Sequence, residues 1–371
     1  MHIGFDAKRA FLNNTGLGNY SRFTINALCR SYPDNQYSLF TPSTGNDQLY
    51  IPPGACNTIV PGNLWKGGLK SYWRTYGLPR LLSREKINLY HGLSNELPFG
   101  MDKTGARSVV TIHDLIFLRH PELYRAIDRR IYQKKVNYAV KAADRIIAIS
   151  RQTRDDLVEL TGADPDKIRV VYQGCNPWFY DKVSDDVKQS LRVKYNLPEQ
   201  FLLYVGTIEP RKNLLQIIKA MHLSSIEIPL VAVGGKTPYY NQIQQYIEEN
   251  NITNIQFYQR IENQDLPGVY QMAEAFVYPS SYEGFGIPVL EALNSGIPVV
   301  TSRGGCLEET AGNGALLVDP MNTEELGTAI NRVLSDNKLR QQLVRDGKKH
   351  ALSFREEKTI ASLYEVYQEL M

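Results

Sequence analysis

Two glutamates bracket a glycine-rich turn in Glu283-Gly284-Phe285-Gly286-Ile287-Pro288-Val289-Leu290-Glu291, an E-x7-E spacing. An apolar run closes at Pro279 ahead of the turn, and Pro288 falls in the first turn of a helical pattern that stops near Gly296, the usual placement of proline and glycine at opposite helix ends. The first amides of such a helix are unpaired and lie at the positive end of its dipole, so they attract phosphate oxygens. Carboxylates on either side of that anion are suited to accept hydrogen bonds from sugar hydroxyls. A second anion point follows the run 201–206, as Gly206-Thr207-Ile208-Glu209-Pro210-Arg211-Lys212-Asn213. Arg211 offers a planar fork and Lys212 a point charge. An Arg-Lys pair alone is usually solvated surface, but a strand and a glycine directly before it favour an anion site at a sheet edge. In the first half, Gly16 and Gly18 of Thr15-Gly16-Leu17-Gly18-Asn19-Tyr20 would let a ligand approach the backbone, although the third glycine of a dinucleotide fingerprint is absent. Thr111-Ile112-His113-Asp114 closes another run and puts His113 at a strand end, where a lone histidine is more often structural than functional. Asp164-Pro165-Asp166 spells a metal-type Asp-x-Asp, yet it stands between Thr161-Gly162 and a strand and reads as a turn.

These residues need strand ends to sit on, and the hydrophobic pattern supplies them. Short β-rich runs at 2–5, 37–41, 87–91, 108–113, 145–150 and 168–172, then at 201–206, 230–234, 255–258, 275–279, 298–302 and 315–318, alternate with longer helical patterns. The expected architecture is α/β, two doubly wound parallel sheets in tandem. A chain of 371 residues agrees, being more than one core comfortably holds. The expected domains are 1–180 and 181–353, with a final helix over 354–371 carrying Ile360, Leu363, Tyr364 and Tyr367 at helical spacing. Composition at 43% hydrophobic and 22% charged residues excludes a disordered or fibrous chain. A net charge of +3 is too small to argue for nucleic acid, so an anionic ligand must be met by a local cluster. Cys29, Cys56, Cys175 and Cys306 show no CxxC spacing and predict neither zinc nor disulfides. No apolar run approaches ~18 residues and the N-terminus lacks signal-peptide features, which predicts a cytoplasmic protein.

On these motifs the sequence resembles family 4 retaining glycosyltransferases of the GT-B fold. The E-x7-E loop, Glu209-Pro210-Arg211-Lys212-Asn213, Thr111-Ile112-His113-Asp114, Ala148-Ile149-Ser150 and Gly296-Ile297-Pro298-Val299-Val300 stand in family order. The resemblance implies two Rossmann-like domains facing a central cleft, the first binding acceptor and the second the nucleotide sugar, with the final helix crossing back to the first. It assigns the donor diphosphate to Arg211 and Lys212, with Gly206 beside them. It gives the ribose to Glu291, and the transferred sugar and phosphate to Glu283 with Gly284 and the amides of Phe285 and Gly286. Arg260 and Ile261 hold the base, Gly16 and Gly18 lie near the donor phosphates, and His113 contacts the sugar near its reacting carbon. Family members often carry Arg where Asn19 stands and Pro where Glu308 stands, differences that bear on substrate choice. The opening loop resembles the mannosyltransferase branch of bacterial surface-polysaccharide and lipopolysaccharide synthesis, which implies GDP-mannose as donor and a glycan or lipid-linked glycan as acceptor. No metal or other cofactor is expected, because the Arg-Lys pair supplies countercharge. Two other readings stand beside transfer: a nucleotide-sugar 2-epimerase of the same fold, and a non-catalytic sugar-nucleotide-binding subunit. Finally, Trp65, Leu69, Tyr72, Trp73 and Tyr76 beside Lys66, Lys70 and Arg74 form an apolar and a basic stripe at helical spacing. That segment is suited either to packing in the core or to peripheral contact with an anionic inner membrane face.

Overall fold

The computed structural model describes residues 1–45, 49–62 and 72–371. The chain divides into two compact units, Met1–Gln173 with Glu356–Met371, and Gly174–Arg355. The first unit holds a parallel sheet of β1 (His2–Asp6), β2 (Gln36–Phe40), β3 (Cys56–Ile59), β4 (Leu89–Gly92), β5 (Arg107–Ile112), β6 (Arg145–Ala148) and β7 (Ile168–Val170), in the order β3-β2-β1-β4-β5-β6-β7. The second holds β8 (Leu202–Val205), β9 (Leu230–Val233), β10 (Ile255–Tyr258), β11 (Ala275–Tyr278), β12 (Val299–Ser302) and β13 (Ala315–Val318), in the order β10-β9-β8-β11-β12-β13. Strands such as β9 (LVAV) and β11 (AFVY) are buried along their whole length, as parallel strands covered by helices on both faces must be.

In each sheet the chain reverses direction once, between β1 and β4 in the first and between β8 and β11 in the second. Loops leaving the carboxyl ends of adjacent strands diverge at such a point and leave a crevice for ligands. The helices over these sheets begin and end on local signals. Ser150 Oγ accepts from Thr153 N–H at 3.1 Å, and Gly162 closes the same helix in a left-handed conformation. Asp164 caps the turn after it, accepting from Asp166 N–H at 3.0 Å, which is the turn role predicted for Asp164-Pro165-Asp166.

Three features differ from the sequence expectation. Strand β3 has no counterpart in the hydrophobic pattern, since it is a four-residue edge strand containing Asn57 and Thr58. The first division falls at Gly174 rather than after residue 180, because the turn Pro177–Phe179 packs into the second unit. There Phe179 lies edge-on to Tyr270 and Arg355 lies over the Tyr180 ring. Phe354, placed by the pattern in the last helix, packs on Phe285 of the second unit, and the helix itself starts at Glu356.

Residues 65–71 of the apolar and basic stripe lie outside the described residues. The part that is described does not present a basic stripe. Trp73 is buried, and Arg74 is drawn inward by two carboxylates, Asp6 at the end of β1 and Glu96 just past β4, at 2.8 and 2.9 Å. Among the described residues no helix is long and apolar enough to cross a membrane.

Candidate active site

At the switch point of the second sheet, the loop after β8 and the loop after β11 are tied together. Pro210–Lys212 form one tight turn, which Asn213 ends at φ 54°. Ser281 N–H donates to the Arg211 carbonyl at 2.8 Å, and Asn213 Nδ2 donates to the Pro279 carbonyl at 2.9 Å. This brings Arg211 to Glu283, with Nη1 2.8 Å from Oε1. Nη2 of Arg211 donates to Glu209 Oε1 at 2.6 Å, and Nη1 also donates to the Tyr282 carbonyl. A guanidinium has five N–H donors, so Nε–H and one Nη2–H remain without a partner among the described residues. Lys212 is less engaged, with Nζ 4.0 Å from Glu209 Oε1. Gly206 makes room for this arrangement, because a Cβ there would lie 3.3 Å from both Lys212 Cδ and Tyr278 Cε2. The formal charges of Arg211, Lys212, Glu209 and Glu283 cancel. The cations are therefore placed with balancing carboxylates rather than left as bare countercharge.

Glu283 Oε1 also accepts from the Tyr278 hydroxyl at 2.7 Å, with Ser280 Oγ 3.1 Å away. Burial alone would raise its pKa, but the charges of Arg211 and Lys212 and the hydrogen bonds from Tyr278 and Arg211 hold it below the usual carboxylate value. Its second oxygen, Oε2, has no hydrogen-bond partner among the described residues and is available to an incoming hydroxyl. Past it, Gly286 stands at φ 108° as the residue before the helix Ile287–Ser295, and a Cβ there would come 2.6 Å from Leu307 Cδ2. Only glycine meets both demands. The Phe285 carbonyl accepts from Thr310 Oγ1 at 2.7 Å, which fixes the turn that presents the helix start.

Glu291, in the same helix, accepts from the Tyr270 hydroxyl at 3.0 Å. Desolvation pushes its pKa up to about 7, with the Tyr270 bond opposing. Arg260 and Ile261 follow edge strand β10. Ile261 is buried, while the Arg260 side chain is exposed and 3.3 Å from Glu262.

In the first unit, His113 follows β5 directly. Its Nε2 lies 2.9 Å from the Leu93 carbonyl, which can only accept, so Nε2 carries the proton. Nδ1 then accepts from Gln173 Nε2 at 3.1 Å, and the backbone N–H donates to Asn95 Oδ1 at 2.8 Å. Burial lowers the ring pKa to about 4, so the imidazole is neutral near pH 7. Gly16 and Gly18 open the helix Gly16–Ser31, and they differ in their reasons. A Cβ on Gly18 would collide with the Asn13 carbonyl, whereas one on Gly16 would meet nothing within 4 Å. Gly18 is needed by the fold, and Gly16 leaves open space.

The structure thus gathers Arg211, Lys212, Gly206, Glu283, Gly284, Phe285 and Gly286 on two loops, with Glu291 on the helix that follows. Gly16, Gly18 and His113 lie in the other unit. Sequence reasoning did not single out Tyr278, Tyr270 or Gln173. Each acts through one buried polar atom, and neither its residue type nor its spacing distinguishes it from core packing.

The family model described as Glycosyltransferase Family 4 matches residues 16–179, and that described as Glycosyl transferases group 1 matches residues 187–350. The chain is 29% identical over 360 residues to O-antigen chain mannosyltransferase B of Escherichia coli, covering 92% of each. In fold it is similar to the sucrose-phosphate synthase of Thermosynechococcus elongatus, with TM-score 0.79 and 23% identity over 100% of this chain and 99% of that one. It is also similar to HepE of Anabaena in complex with UDP and glucose, with TM-score 0.77 and 18% identity over 100% of both chains.

Proposed function

The chain belongs to the family 4 glycosyltransferases of the GT-B fold, and from that membership we propose that it transfers mannose from GDP-mannose to a glycan or lipid-linked glycan acceptor. Hexosyl transfer in cell-surface polysaccharide synthesis agrees with the O-antigen mannosyltransferase relative, and an epimerase or a non-catalytic subunit is not favoured. The observation that carries the reading is the Arg211–Glu283 pair beside Lys212 at the β8/β11 switch point, with the Gly286 helix start next to it.

In this reading Lys212, the remaining Arg211 donors and the helix amides receive the diphosphate, whose charge grows as the sugar leaves. Glu291 takes the ribose, Ile261 and Arg260 the base, and the free oxygen of Glu283 a sugar hydroxyl. We further propose that configuration is retained without a sugar ester on Glu283. Its ionised carboxylate is held by Arg211 and Tyr278 at the diphosphate loop, which weakens it as a nucleophile and suits it to orientation. His113 has both ring nitrogens engaged and a depressed pKa, which favours positioning and support from its backbone carbonyl over proton transfer. No metal is required in this reading.

We propose a second surface for peripheral membrane contact, besides the Trp65–Tyr76 stretch. On the helix Ala126–Ala142, Ile127 is 68% and Ile131 47% exposed, and Arg130 and Lys134 between and after them are exposed. Among the described residues, Arg125, Arg129, Arg130 and Lys134 have no ion-pair partner. An apolar and basic face of this kind complements anionic lipid. The helix belongs to the connection that leaves the carboxyl end of β5 through His113 and the short helix Ile116–Arg119, so a lipid-linked acceptor held there would lie on the chain segment that follows His113.

Thermal-shift screening against GDP-, UDP- and ADP-sugars tests the donor. A ligand at 100 times its dissociation constant should stabilise by ~2.7 kcal/mol, and stabilisation by UDP- or ADP-sugars alone would refute GDP-mannose. Product NMR and intact-protein mass spectrometry test the mechanism, which an inverted linkage or a glycosyl ester on Glu283 would overturn.

A further inference from the structure

The last helix, Glu356–Gln368, is anchored in the first unit several times over. Ile360, Leu363 and Val366 enter its core, Tyr364 stacks on Tyr32 with ring centroids 3.5 Å apart, and Glu369 just beyond pairs with Arg145 and Arg169, each at 2.9 Å. The hydroxyl of Tyr367 is not needed for docking, yet it is fully buried and lies 2.6 Å from His91 Nδ1. A phenylalanine would fill the same apolar space without burying a polar group. The hydroxyl is instead the first member of a chain. His91 Nε2 lies 2.8 Å from Thr111 Oγ1, which lies 3.1 Å from the Tyr20 hydroxyl, and the Tyr20 ring stands edge-on to the His113 ring at 4.6 Å and 88°.

We propose that Tyr367 and His91 are positioning residues for transfer, acting through Thr111 and Tyr20 to hold the Gly16–Tyr20 turn and the His113 ring in register. The inference rests on the reading of His113 as a residue of the transfer site.

The chemistry of the chain gives it a direction. A neutral imidazole carries one ring proton, and burial keeps His91 neutral, its pKa lowered to about 3. When Tyr367 donates to Nδ1, the ring proton must sit on Nε2 and point to Thr111 Oγ1. The single proton of Thr111 then passes on to the Tyr20 oxygen. Without the Tyr367 hydroxyl nothing donates to Nδ1, so the tilt of the His91 ring and the proton that Nε2 directs at Thr111 are no longer held, and the hydroxyl of Thr111 is freed from the single orientation that donates to Tyr20. Coupling of this kind is cooperative, so the loss at one end reaches the other.

The test is Tyr367→Phe in the full-length protein, with Tyr364→Phe as a control that removes a hydroxyl from the same helix. Tyr367→Phe should lower kcat roughly tenfold with the donor KM unchanged, as expected when a reacting group is held slightly out of place. Tyr364→Phe should leave kcat as it is. Tyr20→Phe combined with Tyr367→Phe should cost no more than the larger single effect. In the unliganded protein, the imidazole signals of His113 in a ¹H–¹⁵N spectrum should move in Tyr367→Phe and stay in Tyr364→Phe. Unmoved His113 signals, a kcat unchanged by Tyr367→Phe, or additive effects in the double variant would each overturn the proposal. The spectrum requires no substrate, so failure of the donor assignment is read separately from failure of this coupling.

Discussion

Replacing Glu291 by Gln tests the ribose assignment through its proton. Glu291 titrates at about 7 in the free protein because burial disfavours its charge. A carboxylate accepting hydrogen bonds from two ribose hydroxyls is stabilised in its ionised form, so the bound nucleotide should return the pKa toward the ordinary range. Binding then requires ionisation, and apparent affinity should follow the ionised fraction of the free protein. For a pKa of about 7, that fraction rises from ~0.1 at pH 6 to ~0.9 at pH 8, an affinity gain of roughly tenfold or ~1.4 kcal/mol. Calorimetry with an intact sugar nucleotide checks this without interference, since its diphosphate is esterified at both ends and has no group titrating near neutrality. In buffers of differing ionisation enthalpy, the same titrations should show proton release near pH 6.5. Glu291→Gln should bind more weakly at pH 8 and lose the pH slope. The linked stability effect has a definite sign. A folded-state pKa above the unfolded value of ~4.3 means that stability is fully present below pH ~4.3 and is lost as pH rises through about 7. Glu291→Gln should therefore raise the melting temperature of the unliganded protein at pH 8 and leave it nearly unchanged at about pH 4, below the unfolded value. Affinity that is flat with pH, or a slope that survives in Glu291→Gln, would refute the reasoning.

Lys212→Ala should lower kcat/KM by ~2–4 kcal/mol in transition-state terms, because the diphosphate gains charge as it leaves; an effect below threefold in steady-state kinetics would place the charge elsewhere. If Lys212, the remaining Arg211 donors and the helix amides meet the diphosphate as proposed, turnover should persist in EDTA; activity lost in EDTA and restored by Mn²⁺ would reassign the diphosphate countercharge to a cation. Gly286→Ala should destabilise by at least ~2 kcal/mol in denaturant melts, since φ is 108° and Leu307 occupies the Cβ space; an unchanged midpoint contradicts the turn geometry. His91 and His113 have pKa values lowered to about 3 and about 4, so each contributes stability that is present above the unfolded value of ~6.5 and lost as pH falls through the folded value. The loss should reach about 3 kcal/mol for each by pH 4, and a melting temperature flat from pH 7 to 4 would show that the rings are not held neutral.

The sequence made one half of the site readable and concealed the other for a physical reason. Arg211, Lys212, Glu283, Gly286 and Glu291 stand on loops and helix starts, where residue type is set by local demands: a positive φ at Gly286, a cation after a strand, a carboxylate beside a helix N-terminus. Such demands leave a pattern within about ten positions. The partners that tune these groups obey no local rule. Tyr278 and Tyr270 occupy ordinary buried positions of β11 and of the helix Leu266–Met272, and each bonds a glutamate through one oxygen at the end of a ring that would pack as well without it. The same holds for His113. Its strand-end position was legible, but its tautomer is set by Leu93 and Gln173, which only the fold brings near. The described end of the Trp65–Tyr76 stripe shows the converse. Arg74 completes a basic period in sequence, yet Asp6 and Glu96 lie at the neighbouring ends of β1 and β4, and two carboxylates at 2.8 and 2.9 Å outweigh the periodicity. Local pattern therefore reports where a ligand's charge can be met, whereas the protonation state of the groups that meet it is decided by long-range burial. That is why the pH profiles of Glu291 and His113 test the reading more severely than the loss of activity in either variant.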